Sequence, residues 1–381
     1  MRPTARGAAV LGVSVLLVAA AEWAGYPLFR VLGAIGLGAL LAAVAVTARG
    51  MRVAVSRVVY PDRVERGRPA LAKLRVRNLA GRPQPGFAAW DHAGGSTRSV
   101  QVRALAEGAE ATYQYELPTG TRGLLAVGPL TLLRADPFGL ARNRHPAGEI
   151  ATLWVYPRTY PARARTGGFP RHHHDGATTD DSLRGSLDLR DVREYQPGDE
   201  VRHLHWKATA RTGRMMVRDY ADPEQPRFTL LLDTRGDALP PAVFEEAVDL
   251  AASLLAASAT AGHHSRLVTS GGADLATSGG PLAVRQLLDE LCQVRQDTGA
   301  EQALVPGVLS AVRHRGGCLT VVTSGSGGPG ALGGLAGLRA RYSSVFVLDL
   351  GSGGVPPVVP GARVLGAGSA ADAVRRWNEV V

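Results

Sequence analysis

Two apolar runs near the start constrain the fold more than any later segment does. Ala8–Ala21 ends at Glu22, and Val31–Ala48 follows after Trp23, Tyr26, Pro27 and Arg30. Each lies near the lower bound of the about 17 to 25 residues that a bilayer-spanning helix requires. Only a helix satisfies the backbone of such a run in lipid, so a transmembrane helical hairpin is expected. Trp23 and Tyr26 between the runs suit a membrane interface. A cleaved signal peptide competes for the first run, because Arg2 and Arg6 precede it and Ala19-Ala20-Ala21 resembles a cleavage site. Arg49, Arg52 and Arg57 flank the second run, so the remaining chain is expected in the cytoplasm. The expected location is the cell membrane, multi-pass, with the C-terminal part cytoplasmic.

The net charge of +10 is almost all arginine, since Lys73 and Lys207 are the only lysines. With abundant Ala, Gly and Pro, that bias reflects a GC-rich genome more simply than a nucleic-acid partner, and no nucleic-acid-binding motif is present. Cys292 and Cys318 lack metal-ligand spacing and read as buried reduced thiols.

Beyond the membrane segments (residues 1–50), residues 51–160 show short alternating stretches parted by Gly, Pro and Asn, the pattern of a small β-sandwich-like domain. Trp90 and Trp154 are expected to pack within it. Residues 161–186 are poor in apolar side chains and read as a linker or surface loop, in which His172, His173 and His174 lack the orienting partners that metal ligands usually have. From residue 226 to 381 short apolar strands alternate with helices, which predicts a doubly wound α/β domain with a parallel sheet. The expected helices include Val305–His314 and Ala331–Arg341. The fold class is therefore α+β multidomain.

Residues 187–225 hold the densest charge, aromatic and turn content and read as strand, turn, helix and strand. Pro197-Gly198 is a turn dipeptide, Asp199 a good N-cap, and a helix is expected from Glu200 to Arg211 with Gly213 as its C-terminal cap. On such a helix His203, Lys207 and Arg211 share one stripe, Val201, Leu204 and Ala208 form the apolar one, and Arg202 reaches Trp206. His203 and His205, two residues apart on a helix, point apart and share no ion.

This segment resembles the hallmark R-x-Y-x-x-G-D-x-x-R-x-I-H-W-x-x-S-A-R of the bacterial membrane-anchored domain-of-unknown-function family 58. The matching positions are Arg193, Tyr195, Gly198, Asp199, Arg202, His205, Trp206, Ala210 and Arg211, with Leu204 for isoleucine and Thr209 for serine. Arg122-Gly123, Val127-Gly128-Pro129 and Asp136-Pro137-Phe138-Gly139-Leu140 resemble the family upstream. The resemblance implies a von Willebrand factor A-like C-terminal domain and association with MoxR-type AAA+ ATPases and transglutaminase-like membrane proteins. Against the D-x-S-x-S metal loop of that domain type, Asp233 is kept, Arg235 and Asp237 replace the serines, and Ser324 stands where aspartate is common. A guanidinium beside the ligands repels a divalent cation. Arg235 is accordingly expected to serve as a built-in cation for Asp233.

The resemblance favours a non-enzymatic adaptor that presents a cytoplasmic domain to such an ATPase, with no cofactor and no metal expected. In the structural reading of the motif, Trp206 packs and Arg193 or Arg202 pairs with Asp188, Asp191 or Glu194. Two alternatives stay open: a hydrolase-type enzyme using His205 with Asp199 or Tyr195, and a structural envelope scaffold. No Walker loop, nucleophile elbow or H-E-x-x-H motif supports the enzyme.

Overall fold

The computed structural model describes residues 2–48, 50–165, 188–195, 204–221, 227–297, 303–310, 317–324, 332–351 and 358–381. The chain divides into two compact units, Met1–Tyr156 and Pro157–Val381.

The first unit begins with strand β1 (Arg2–Pro3) and two antiparallel helices, α1 (Ala5–Ala24) and α2 (Pro27–Ala48). Both are long and apolar enough to cross a membrane. The buried positions on α1 are Gly7, Ser14 and Ala21, a seven-residue repeat of small side chains. Such a seam lets two backbones approach closely. At Gly33 of α2 an added Cβ would lie 2.6 Å from the Val18 side chain and 2.8 Å from the Ser14 carbonyl. Helix α1 runs past the expected end at Glu22, whose carboxylate pairs with Arg30 at 2.8 Å on the exposed hairpin tip. Outward-facing positions carry Leu11, Val15, Leu16, Leu28, Ile35 and Leu41, all exposed.

Strands β2 (Val53–Tyr60), β3 (Arg63–Glu65), β4 (Leu71–Asn78), β5 (Phe87–Ala93), β6 (Ser96–Val102), β7 (Glu110–Glu116), β8 (Gly123–Val127), β9 (Leu130–Ala135), β10 (Ala141–Ala147) and β11 (Ala151–Tyr156) complete this unit. They form a three-stranded sheet, β2-β4-β7, and an eight-stranded sheet, β1-β10-β9-β5-β8-β11-β3 with β6 on β5. Strand β4 alternates strictly, turning Ala72, Leu74 and Val76 inward. Leu74 and Val76 share one core with Phe87 and Ala89 of β5 and Leu130 and Leu132 of β9, so the two sheets pack face to face. Arg57, read from the sequence as a membrane-flanking charge, lies instead inside this unit. Its Nη1 donates to Asp91 at 2.6 Å with both side chains buried, and Tyr115 donates to the other Asp91 oxygen. Burial and that negative partner push the Tyr115 phenol well above its ordinary range. Trp90 and Trp154 are half-buried beneath the guanidinium groups of Arg144 and Arg63.

The second unit contains the hairpin β12 (Asp188–Glu194) and β13 (Met216–Ala221), with α3 (Trp206–Thr212) before β13. A six-stranded sheet follows, ordered β16-β15-β14-β17-β18-β19, from β14 (Arg227–Leu232), β15 (His264–Thr269), β16 (Asp274–Thr277), β17 (Cys318–Thr323), β18 (Ser344–Leu350) and β19 (Arg363–Ala367). Neighbours are parallel except β16, an antiparallel edge strand. Helices α4 (Pro241–Thr260), α5 (Pro281–Gln293) and α7 (Ala370–Val380) cover one face, where Trp377 meets Phe228 and Phe346 edge-on at 6.3 and 5.2 Å. The short α6 (Gly307–Ser310) and the 3-10 helix Gly333–Ala340 contribute Leu309, Leu335 and Leu338 to the other face. Both faces of the central strands β14, β17 and β18 are thus buried, as their mostly apolar sequences require.

Three expectations are corrected here. Within the helix expected over Ala331–Arg341, Gly333–Ala340 is a 3-10 helix, since Gly333, Gly334 and Gly337 give it little α-helical propensity. The helix expected over Val305–His314 starts at Gly307, and its continuation past Ser310 lies outside the described residues. Strand β16, unforeseen, is held at the edge by Arg266, whose guanidinium makes two hydrogen bonds of 2.7 and 2.6 Å to Asp274.

Candidate functional site

Two places in the second unit gather the residues singled out by the sequence. The first is the motif. Gly198, Asp199, Arg202 and His203 lie outside the described residues, as do Val201 and the histidines of 172–174. The backbone of Arg193 lies in β12, opposite Val217. Tyr195 follows, and its N–H donates to the Met215 carbonyl at 2.8 Å.

The helix starts later than its turn chemistry predicts. Leu204 is buried in an antiparallel bridge with Val217 and the His205 N–H donates to the Met216 carbonyl at 2.7 Å, so the chain is still extended there. Helix α3 begins at Trp206, and His205 is its N-cap: the imidazole Nδ1 accepts from the Ala208 N–H at 3.1 Å. That acceptor role leaves the proton on Nε2. Leu204 therefore belongs to no helical stripe, while Arg202 and His203, the expected neighbours of Trp206 and Lys207, lie outside the described residues.

Thr209, at the serine position of the hallmark, ties helix to strand, its Oγ1 accepting from the Met216 N–H at 2.9 Å. Gly213 closes the helix in the left-handed region, at φ 71°. Trp206 does not pack, being 69% exposed, and Lys207, Arg211, Arg214 and Met215 are exposed beside it in sequence. Arg214 also reaches Glu194 at 3.4 Å.

The second place is the carboxyl end of the parallel sheet. From β14 the chain passes to β15 on one side and later to β17 on the other, so the strand order reverses there, the point at which open α/β sheets commonly place ligands. Asp233 ends β14 and is fully buried. Arg235 grips it bidentately, Nε to Oδ1 at 2.9 Å and Nη2 to Oδ2 at 2.8 Å, and its backbone N–H adds a third contact at 3.2 Å. Thr323 Oγ1 donates to Oδ2 at 2.6 Å. The hydrogen bonds to Asp233 raise the Arg235 pKa further, against the opposing effect of burial.

Sequence reasoning missed the supporting shell. Thr234 donates to Ser270 Oγ through its N–H at 2.8 Å, and its hydroxyl bonds Asp297 Oδ2. The Asp297 carbonyl accepts from the Gly236 N–H at 3.1 Å. A Cβ at Gly271 would lie 2.6 Å from Asp297 Oδ2, so a larger residue there would displace the carboxylate. Thr323, and not Ser324, reaches Asp233; Ser324 is buried, while Asp237 is exposed. Asp349, fully buried, lies opposite Thr323 in the ladder. A divalent cation does not fit against Asp233, since a guanidinium already occupies both of its oxygens. Among the described residues no group of three or more His, Cys, Asp or Glu side chains is placed to hold a metal ion.

Residues 191–327 match the family model described as "Protein of unknown function DUF58". The uncharacterised protein YeaD of Bacillus subtilis (strain 168) is 31% identical over 171 residues, which are 44% of this chain and 39% of that relative. The chain thus matches about two fifths of the relative's length. Among solved structures, the CARDB domain of a Pyrococcus furiosus protein, in complex with di-metal ions, aligns at 16% identity and TM-score 0.22 over 27% of this chain and 91% of that one. The DNA glycosylase AlkC of Pseudomonas fluorescens aligns at 13% identity and TM-score 0.22 over 39% and 47%. Similarity that low carries no inference about fold or activity. The family match over residues 191–327, together with the Bacillus relative, supports a DUF58 protein.

Proposed function

We propose that this chain is a membrane-anchored, non-enzymatic adaptor. Helices α1 and α2 anchor it, and the second unit, von Willebrand factor A-like in organisation, is presented in the cytoplasm to a partner protein. The partner class is a MoxR-type AAA+ ATPase, as the family resemblance implies. One observation carries this reading: Trp206 stands exposed on a short helix fixed at both ends, in a segment whose other exposed long side chains are mostly cationic. A tryptophan with arginine is the composition of an interface hot spot, and a rigid helix binds with little ordering cost. A surface of Lys207 and Arg211 suits an acidic partner face.

At the carboxyl end of the sheet the Asp233–Arg235 pair makes recognition independent of divalent cations. The hydrolase alternative is disfavoured because the His205 nitrogen able to accept a proton already accepts the Ala208 N–H. Binding of the ATPase to the full chain, with and without Trp206→Ala, tests the adaptor reading. Turnover of a phosphoester or glycan substrate that disappears in His205→Gln contradicts it.

A further inference from the structure

We infer that the turn between β9 and β10, Asp136–Leu140, is a membrane-inserting wedge whose Phe138 ring sits at the boundary of headgroups and acyl chains. The inference rests on the proposal that α1 and α2 are anchored in a bilayer. The turn is bound to the helix ends and does not hang below them. The Thr4 N–H donates to the Leu140 carbonyl at 3.0 Å, and the Thr4 hydroxyl to the Gly139 and Leu140 carbonyls at 2.6 and 3.1 Å. Asn143 Nδ2 donates to the Thr47 carbonyl at 3.2 Å, close to the last residue of α2. Gly7 lets α1 approach so closely that a Cβ there would strike the Leu140 carbonyl.

Leu140 and Ala141 are buried with Ala43, and Val10, Ala39 and Leu40 pack against them. Val10 lies five residues inside α1 and Ala43 five inside α2. At 1.5 Å per residue the turn overlaps the helices by about 7 Å. Helices of 20 and 22 residues extend about 30 and 33 Å, close to the thickness of the hydrocarbon core. An overlap of one helical turn therefore brings the turn to the edge of that core.

Two properties of the turn fit lipid. Phe138 at its tip is 75% exposed and next to Pro137, which has no N–H. Three nearby N–H groups are engaged within the turn: those of Phe138 and Ala141 donate to the Asp136 carboxylate at 2.9 and 2.6 Å, and that of Gly139 to the Asp136 carbonyl at 3.0 Å. The Gly139 and Leu140 carbonyls are the acceptors of Thr4. Each of these bonds lowers the cost of bringing the turn's backbone into an apolar medium. The aromatic side chain at its tip matches the preference of aromatics for the interface.

The test is depth measurement by spin labels in the full chain, reconstituted in vesicles of phosphatidylcholine and phosphatidylglycerol. Phe138→Cys, Leu16→Cys and Glu379→Cys are labelled one at a time; the native Cys292 and Cys318 are buried, and the unsubstituted chain gives the background. Relaxation by oxygen is compared with relaxation by a water-soluble nickel chelate. The expected result is an oxygen-to-nickel ratio at Phe138 several-fold above that at Glu379 and approaching that at Leu16. If Leu16 reports lipid while Phe138 matches Glu379, the wedge is overturned and the anchor stands. If Leu16 also reports water, the anchoring proposal fails and takes the wedge with it.

Discussion

Arg235 and Asp233 form a closed, buried ion pair two residues apart, joined by parallel hydrogen bonds of 2.9 and 2.8 Å at the end of the central strand β14. Removing the guanidinium strands a fully buried carboxylate. Arg235→Met is therefore expected to lower stability by about 3 to 5 kcal/mol, read as a reduced urea midpoint. Arg235→Ser removes the competing cation and leaves Asp233, Thr323 and Ser270 as oxygen ligands. Calorimetric titration with Mg²⁺ or Mn²⁺ is expected to show binding in that variant and none in the unsubstituted chain. Saturable micromolar binding by the unsubstituted chain, lost in Asp233→Ala, contradicts the pairing as the reason for cation independence.

His205 caps α3 with a ring nitrogen, so its value is local. His205→Ala should cost about 1 kcal/mol of helix stability and speed amide exchange at Ala208, while His205→Asn keeps a capping acceptor and should restore protection. Thr209→Val removes the acceptor for Met216 and should expose that amide as well. Unchanged exchange in both His205→Ala and Thr209→Val contradicts the cap and the tie.

Burial holds the imidazoles of His263 and His264 below the ordinary histidine range, and the charge of Arg227 adds to this at His264. The unfolded chain, with a histidine pKa of about 6.5, then takes up protons before the folded one does. Stability is full above that value and declines as the pH falls toward the folded pKa. The urea midpoint is expected to drop between about pH 7.5 and 5.5, and replacing both residues by glutamine should flatten that slope. A slope unaffected by the double substitution contradicts the assignment.

The proposed topology, with the C-terminal side in the cytoplasm, draws on the arginines Arg49 and Arg52 beside the second apolar run. A reporter fused after Val381 should behave as cytoplasmic, and an extracytoplasmic readout reverses the topology.

Much of the second unit was legible because its central strands are short, mostly apolar runs. Phe228–Leu232, Cys318–Val322 and Val345–Leu350 are buried on both faces, and nothing but a covered parallel sheet accepts them. Strand β16 escaped notice because four residues with Asp274 at one end carry almost no periodicity, and an arginine from β15 fixes the strand. The start of α3 was misread for a tertiary reason. Pro197-Gly198-Asp199 is good turn chemistry, yet Leu204 is claimed by Val217, and the helix waits until that bridge is made. Histidine is not a preferred N-cap, so His205 left no signal of its role. Asp297 likewise reaches Thr234 from 63 positions away, a contact set by the fold and invisible in local sequence.

The most direct test of the adaptor proposal is the affinity of the full chain, held in lipid nanodiscs, for a purified MoxR-type AAA+ ATPase from the same genome, with and without divalent cations in the protein's buffer. Binding is expected, and Trp206→Ala combined with Lys207→Glu and Arg211→Glu should weaken it by about 2 kcal/mol or more, roughly thirtyfold in Kd, at an unchanged melting temperature. No binding by the unsubstituted chain, or equal affinity in the triple variant, contradicts an adaptor that works through the exposed face of α3.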